Sequence, residues 1–484
     1  MRNMIKNVFG WLESRKDLFN KIMPYFLMVY FFLISCPYIF APWPFLNNIF
    51  SNSNTALVLR ALFLLLYALF ALILLIANKM HLDMKWLLVC VILFILFVLS
   101  AILVPKQLGG YSFYFTGKVQ YKSTTIGVMS ILTHIARFGG DLLCFYFLFT
   151  VYARLFQNKN QFTWIIFPCI LIALFGCCYA VVFQRDIIRG IISDGLSPEH
   201  LTANFHSKNE FGIFLFGGSI AIIYIFFTNT HWGFKFLALL LPVFIAFAFL
   251  SNCKLAAICI LLLIIFGYIY YIVVCWKTKL KISITLISIA LILIVGLILI
   301  CNVDALKNIP VVGKFFEAIS NIFKNFKFNS LFGRASEWGI VPLFVNGIYT
   351  FIGFCPAVGY EYIMLTTSIN GAATIPVYDL HNAYLDFYAY HGIVGLVALV
   401  IVYVYLFSLI AKIGKHNKLS AFLIGGITVC GMLFGMAETY TMFISMSANT
   451  FVLNILIVGT IFLEAKNYKI FESKEKKQEV LANA

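Results

Sequence analysis

Asp379-Leu380-His381-Asn382-Ala383-Tyr384-Leu385-Asp386-Phe387-Tyr388-Ala389-Tyr390-His391-Gly392 runs without a break into the apolar stretch Ile393 to Ile410. The first part carries imidazoles, carboxylates and phenols; the second carries no charge. A run of about 18 apolar residues can cross the hydrocarbon core as a helix. The junction therefore reads as the point where a polar external segment enters a membrane, and the rest of the chain follows the same pattern.

Of 484 residues, 62% are hydrophobic and 11% charged, and the mean hydropathy is +0.96. No soluble domain can bury that much apolar surface. The expected fold is an all-α integral membrane protein with about twelve transmembrane helices. Their expected positions are 23–41, 56–77, 86–104, 126–152, 162–184, 209–228, 234–250, 255–276, 282–301, 393–410, 419–437 and 445–463. With the N-terminus inside, the cytoplasmic connections hold 21 Lys and Arg and the external ones 12. That bias predicts an N-in, C-in topology.

The division that follows is a cytoplasmic amphipathic segment 1–22, nine spans over 23–301, a large external loop 302–392, three spans over 393–463, and a charged cytoplasmic tail 464–484. The first segment spaces Ile5, Val8, Phe9, Leu12 and Phe19 at helical intervals among Lys6, Arg15, Lys16 and Lys21. It reads as a helix lying on the anionic inner leaflet. The tail reads as solvated and disordered. Within span 126–152, Arg137 and Asp141 stand at i, i+4 and read as a pair that neutralises itself.

Several chemistries are unsupported. The 12 cysteines form no CxxC pair and read as small apolar side chains. The eight histidines show no metal-ligand spacing, and no phosphate-binding P-loop is present, so neither metal nor cofactor is expected. Any reaction must then draw on an already activated substrate.

Chemistry concentrates outside the membrane. In the large loop, Phe315, Phe316, Ile319, Ile322, Phe323 and Phe326 fall on one helical face. That pattern fits a helix on the outer leaflet and equally a lid over the spans. Gly333-Arg334 and Trp338 follow, and the Arg334 guanidinium suits phosphate oxygens. Asp379 is a natural N-cap for a helix from Leu380. His381 would then lie in its first turn, where the helix dipole favours a neutral imidazole able to accept a proton. Tyr384, Tyr388 and Gly392 share its face, and Gly392 permits a bend into the next span. His391 reads as an interfacial residue. A second external stretch supplies Arg185, Arg189, His206, Lys208 and Asn209, and a hairpin supplies Lys254. Outer-face lysines also snorkel, so each cation has that plainer reading beside the anion-binding one.

The order Gly333-Arg334 with Trp338, then His381-Asn382 with Gly392 eleven residues after the histidine, resembles the O-antigen ligase and O-antigen or capsular polysaccharide polymerase superfamily. Asn204 to Gly212 is similar to that family's element in which an Asn heads a glycine-containing span. The resemblance covers roughly residues 200–410. One departure is Cys253-Lys254, where the family has Ser-Arg or Ser-Lys.

The resemblance implies a GT-C-like, metal-independent membrane glycosyltransferase of the bacterial cytoplasmic membrane. It would join a glycan carried on undecaprenyl diphosphate to an acceptor hydroxyl on the external face. His381 would act as base and Arg334 with Lys254, Lys208, Arg185 and Arg189 would hold the diphosphate. Asn382, Asp379, His206, Asn209, Trp338 and Tyr384 would support them. The implied partners are lipid-linked donor and acceptor, membrane lipids, a chain-length regulator and a flippase, with no nucleic acid among them. Abundant Lys, Asn and Ile, with 52 Phe, suggest an AT-rich genome and a cell without lipid A, which favours a repeat-unit polymerase. A ligase to a lipid or protein acceptor is the alternative. A polysaccharide flippase is a third reading, but flippases need no large external loop and usually show two similar halves.

Overall fold

The computed structural model describes residues 2–39, 53–103, 113–115, 117–121, 128–194, 200–205, 207–228, 232–275, 317, 321, 347–353, 363–366, 374–376, 382–436, 438 and 448–471. Helices dominate: α1 Arg2–Ser14, α2 Lys16–Ile39, α3 Ser53–Ala77, α4 Met84–Leu103, α5 Val128–Phe147, α6 Lys159–Phe183, α7 Arg185–Asp194, α8 Lys208–Thr228, α9 Leu240–Leu250, α10 Lys254–Cys275, α11 Tyr349–Ile352, α12 Ala383–His416, α13 Lys418–Gly435 and α14 Ala448–Asn467. Nine segments among the described residues are long and apolar enough to cross a membrane. The chain is a multi-pass helical membrane protein. Helix occupies every expected span except 282–301, which lies outside the described residues.

Three boundaries depart from expectation. The amphipathic N-terminal helix stops at Ser14, and the next helix starts at Lys16, so 16–22 belong to the first span rather than to the surface segment. In the fourth span, α5 passes into a π-turn over Leu148–Tyr152, all five residues buried. That wider turn turns Tyr152 inward, where its hydroxyl donates to Tyr67 O at 2.7 Å. Arg137 is exposed while Asp141 is buried, and no ion pair joins them. The expected self-neutralising pair is not among the ion pairs of the described residues.

The chain also forms a small antiparallel sheet, unanticipated by the periodicity. It consists of β1 Phe113–Phe115, β2 Gly117–Tyr121, β3 Ile363–Thr366 and β4 Thr374–Pro376, in that order. Its central pairing sets Val119 opposite Leu365 and Lys118 opposite Thr366. The connection after α4 is thereby joined to the loop before α12.

The core centres on α8, whose residues 211–225 are all buried. Without a hydrophobic drive between helices in lipid, close approach depends on small residues. Gly217 meets Val452 of α14, and Gly218 meets Phe244 of α9; a Cβ at either would fall 2.8 Å from the neighbour.

Polar contacts sort the helix ends into two groups. At one end, Lys79 pairs with Glu13 at 2.9 Å, Arg154 with Asp83 at 2.6 Å, and Lys159 with Glu464 at 2.7 Å. Asn20 and Asn78 exchange side-chain hydrogen bonds, and Asn417 donates to the Tyr468 hydroxyl at 2.9 Å. At the other end, Ser100 Oγ donates to Gly353 O at 2.7 Å, and Asn321 Nδ2 donates to Ile192 O and Ser193 O at 3.0 and 2.6 Å. Ala383 N donates to Glu438 O at 3.1 Å. Each contact joins ends that strict alternation of the spans assigns to one side.

The ion pairs differ in worth. The Glu464 side chain is 3% exposed and its partner Lys159 is 37% exposed, so removing the lysine strands a buried carboxylate. Lys159→Ala should cost roughly 1–3 kcal/mol, below the figure for a fully buried pair because water reaches one partner. Lys79→Ala, in a pair that water reaches from both sides, should change stability by less than about 1 kcal/mol. Heating the purified protein and following the loss of its monodisperse peak in chromatography compares the two. Equal midpoints for both variants would contradict this ranking.

Candidate functional site

The connection between α9 and α10 is a tight turn in which Asn252 takes a positive φ of 55°. It brings the chain straight into Lys254, the first residue of α10 and only 8% exposed. A lysine so buried is not a snorkelling one. Lys208 likewise opens α8, which is capped by Ser207, whose Oγ accepts from Glu210 N at 3.2 Å. A cation at a helix start opposes the helix dipole, at about 0.3–1 kcal/mol each. Neither lysine is there for helix stability.

Gly212 sets the distance between these two starts. A Cβ there would overlap Cys253 Sγ and would lie 3.2 Å from Ala256 Cβ. Lys208 lies one turn before Gly212, and Lys254 follows Cys253. The first turns of α8 and α10 therefore run side by side at the same end of the bundle, each led by a lysine. Cys253 is a packing group against that glycine.

The segment entering α8 is folded tightly over the bundle. Ala203, at φ 54°, donates its N–H to Gln184 Oε1 at 2.8 Å, and Phe205 stacks on Phe214 at 5.0 Å. Asn204 is 1% exposed. Desolvation, and then the Lys208 charge, hold the His200 imidazole below its ordinary pKa. Arg185 and Arg189 lie on α7 with Asp186 between them, at 3.9 and 3.6 Å, and all three are exposed. The apolar side of α7 packs inward through Ile191. Asn321, in the large loop, satisfies carbonyls at the C-terminal end of α7 and is itself buried. The loop is thus tied to the arginine-bearing helix.

The start of α12 differs from expectation. Its N-cap is Asn382, whose Oδ1 accepts from Tyr384 N and Leu385 N, both at 3.1 Å. The helix begins at Ala383, three residues after the position expected from Asp379. The cap is fixed from outside, because Ala383 N is held by Glu438 O. Asp379 and His381, expected as cap and first-turn residue, lie outside the described residues. Tyr384 serves as an anchor, its hydroxyl donating to Met432 O at 2.9 Å. Gly392 is the expected bend, with φ 64° and ψ −164° inside the helix. His391, expected at the interface, is instead buried between aromatic rings.

No family model and no curated protein matches this chain.

Of the residues singled out from the sequence, Lys208, Asn209, Lys254, Arg185, Arg189, Asn382 and Tyr384 lie at one end of the bundle. Arg334, Trp338, Asp379, His381 and His206 lie outside the described residues. Asp386 and Glu438 were given no role from sequence, yet both are buried, at 3% and 5% exposed, near the Asn382 cap. The readable signal for Asp386 was its i+4 relation to Asn382. Glu438 has no local signal, since only the fold sets it beside the cap. Among the described residues no group of three His, Cys, Asp or Glu could hold a metal ion.

Proposed function

We propose that the chain is a metal-independent glycosyltransferase of the bacterial cytoplasmic membrane. In this reading it polymerises undecaprenyl-diphosphate-linked oligosaccharide repeat units into capsular polysaccharide, exopolysaccharide or O-antigen on the external face. The observation that carries the reading is the pair of lysine-led helix starts, with Lys254 buried. Two helix N-termini lie side by side there, each led by a lysine, and helix N-termini with cations suit a phosphate-bearing group. The order of the Arg334 and His381 elements in the sequence supports the same substrate class. Twelve spans with both termini inside are supported by the charge bias of the connections and by the sorting of helix ends into two groups.

The transfer needs only these parts. The acceptor hydroxyl oxygen forms a bond to the anomeric carbon of the donor glycan while the bond from that carbon to the diphosphate oxygen breaks. The bonding electrons leave with undecaprenyl diphosphate, and the acceptor proton passes to His381. Cations aimed at the leaving diphosphate stabilise charge that grows in the transition state, which is where electrostatic groups contribute most.

Arg334 gives the direct test. Arg334→Lys keeps the charge but loses the two-pronged geometry, so it should be impaired nearly as severely as Arg334→Ala. In cells carrying either variant, an external glycan-binding probe should detect single repeat units stranded on the outer surface. Repeat units found only after the membrane is opened would overturn the polymerase reading in favour of transport.

A further inference from the structure

We infer that His391, seated on the backbone crossing of Gly353 and Gly392, is a positioning residue that sets the orientation of the short helix headed by Asn382. This rests on the transferase reading, because it assigns the crossing a place in that site.

Residues 383–391 form a separate stub, since the torsions of Gly392 break α12 at that point. Beyond the break the helix continues as the span. Two glycines with positive φ meet here, Gly353 at 79° and Gly392 at 64°. A Cβ on Gly353 would overlap the backbone of Tyr390 and His391, and one on Gly392 would overlap the backbone of Phe351. The two strands of backbone cross at a distance no other residue allows. The crossing is pinned to the end of α4, where Ser100 Oγ donates to Gly353 O at 2.7 Å and the Tyr349 hydroxyl donates to Leu103 O at 2.9 Å.

The His391 ring fills the angle behind the crossing. It stacks on Phe138 of α5 at 4.3 Å and 23°, lies 4.4 Å from Phe387 and 5.5 Å from Phe97 of α4. Its Nδ1 is buried with no hydrogen-bond partner among the described residues. The ring therefore acts through shape, as a wedge between two spans and its own stub. A cavity at that point would free the stub to rotate about Gly392.

The rotation matters because the stub is a lever. Nine residues at 1.5 Å rise give an arm of roughly 13 Å, so a tilt of about 10° moves the Asn382 end by about 2 Å. A displacement of about 1 Å at a reacting group can lower turnover about a hundredfold. His381, the base in the proposed transfer, immediately precedes that end.

The test compares His391→Ala, which opens the cavity, with His391→Phe, which keeps the ring. Two quantities are read in lipid nanodiscs on the full chain: amide hydrogen exchange over 383–391, and kcat and KM for undecaprenyl-diphosphate-linked repeat units. His391→Ala should raise exchange at least tenfold and lower kcat about a hundredfold, with KM changed less than threefold. His391→Phe should restore both. If His391→Ala does not accumulate, Ser100→Ala loosens the same joint by one hydrogen bond and should move both quantities the same way, by less. Unchanged exchange, or raised exchange with normal kcat, overturns the inference, as does a failed rescue by His391→Phe. Wild-type protein that transfers no lipid-linked glycan would overturn the transferase reading instead, and a rise in exchange in the same experiment would keep the joint.

Discussion

His381→Ala should abolish chain extension while the protein still inserts and accumulates normally. A positioned general base contributes about 10²–10⁴-fold to a proton-coupled transfer, and a polymer of many units multiplies any shortfall at each addition. The described helix starts at Ala383, after His381 in the sequence, so the truncation leaves that helix and its Asn382 cap unaltered. The measurement is polymer length on a gel beside membrane abundance by immunoblot. Long chains at normal abundance would remove His381 from the mechanism.

Lys254 carries the second large effect. It is nearly buried at the start of α10, beside the lysine-led start of α8. Losing one preorganised charge from the leaving group should lower turnover about 10²–10³-fold. Lys254→Met keeps the apolar stem that packs along the turn, so folding should survive. Lys208→Met alone should cost less, since Lys208 is more exposed. The double variant should fall short of the product of the single effects if both lysines act on one diphosphate. Strict multiplication of the two losses would mean separate tasks for the two lysines and would break up the proposed phosphate site.

The spans were legible because lipid forces backbone polar groups to pair within each segment, so long apolar runs have one outcome. The bend at Gly392 was legible for a related reason, as a glycine placed between a polar segment and an apolar one. Details decided by remote contacts were not. Asp379 and Asn382 are both good caps, and the Glu438 carbonyl, far along the chain, selects the second. The i, i+4 spacing of Arg137 and Asp141 permitted a pair, but it could not show that Asp141 is buried while Arg137 is exposed. Phe387 lies one turn from His391 and could be read locally. Phe97 and Phe138, which bury the ring, come from other spans. The sheet escaped because strands of three to five residues carry too little alternation to register. Outside lipid the backbone is free to pair in that way.

The burial of α14 has a consequence for how the protein is made. Residues 451–465 are buried on every side, among α2, α3, α6 and α8, although they are synthesised long after those helices. At about 5–20 residues per second, roughly 10–45 s separate the end of α8 from the start of α14. During that interval the bundle has no central post, and the surface around Gly217 that later receives Val452 faces acyl chains or a membrane chaperone. A chain lacking α14 would leave the face of α8 around Gly217 without the side chains that fill it in the complete bundle.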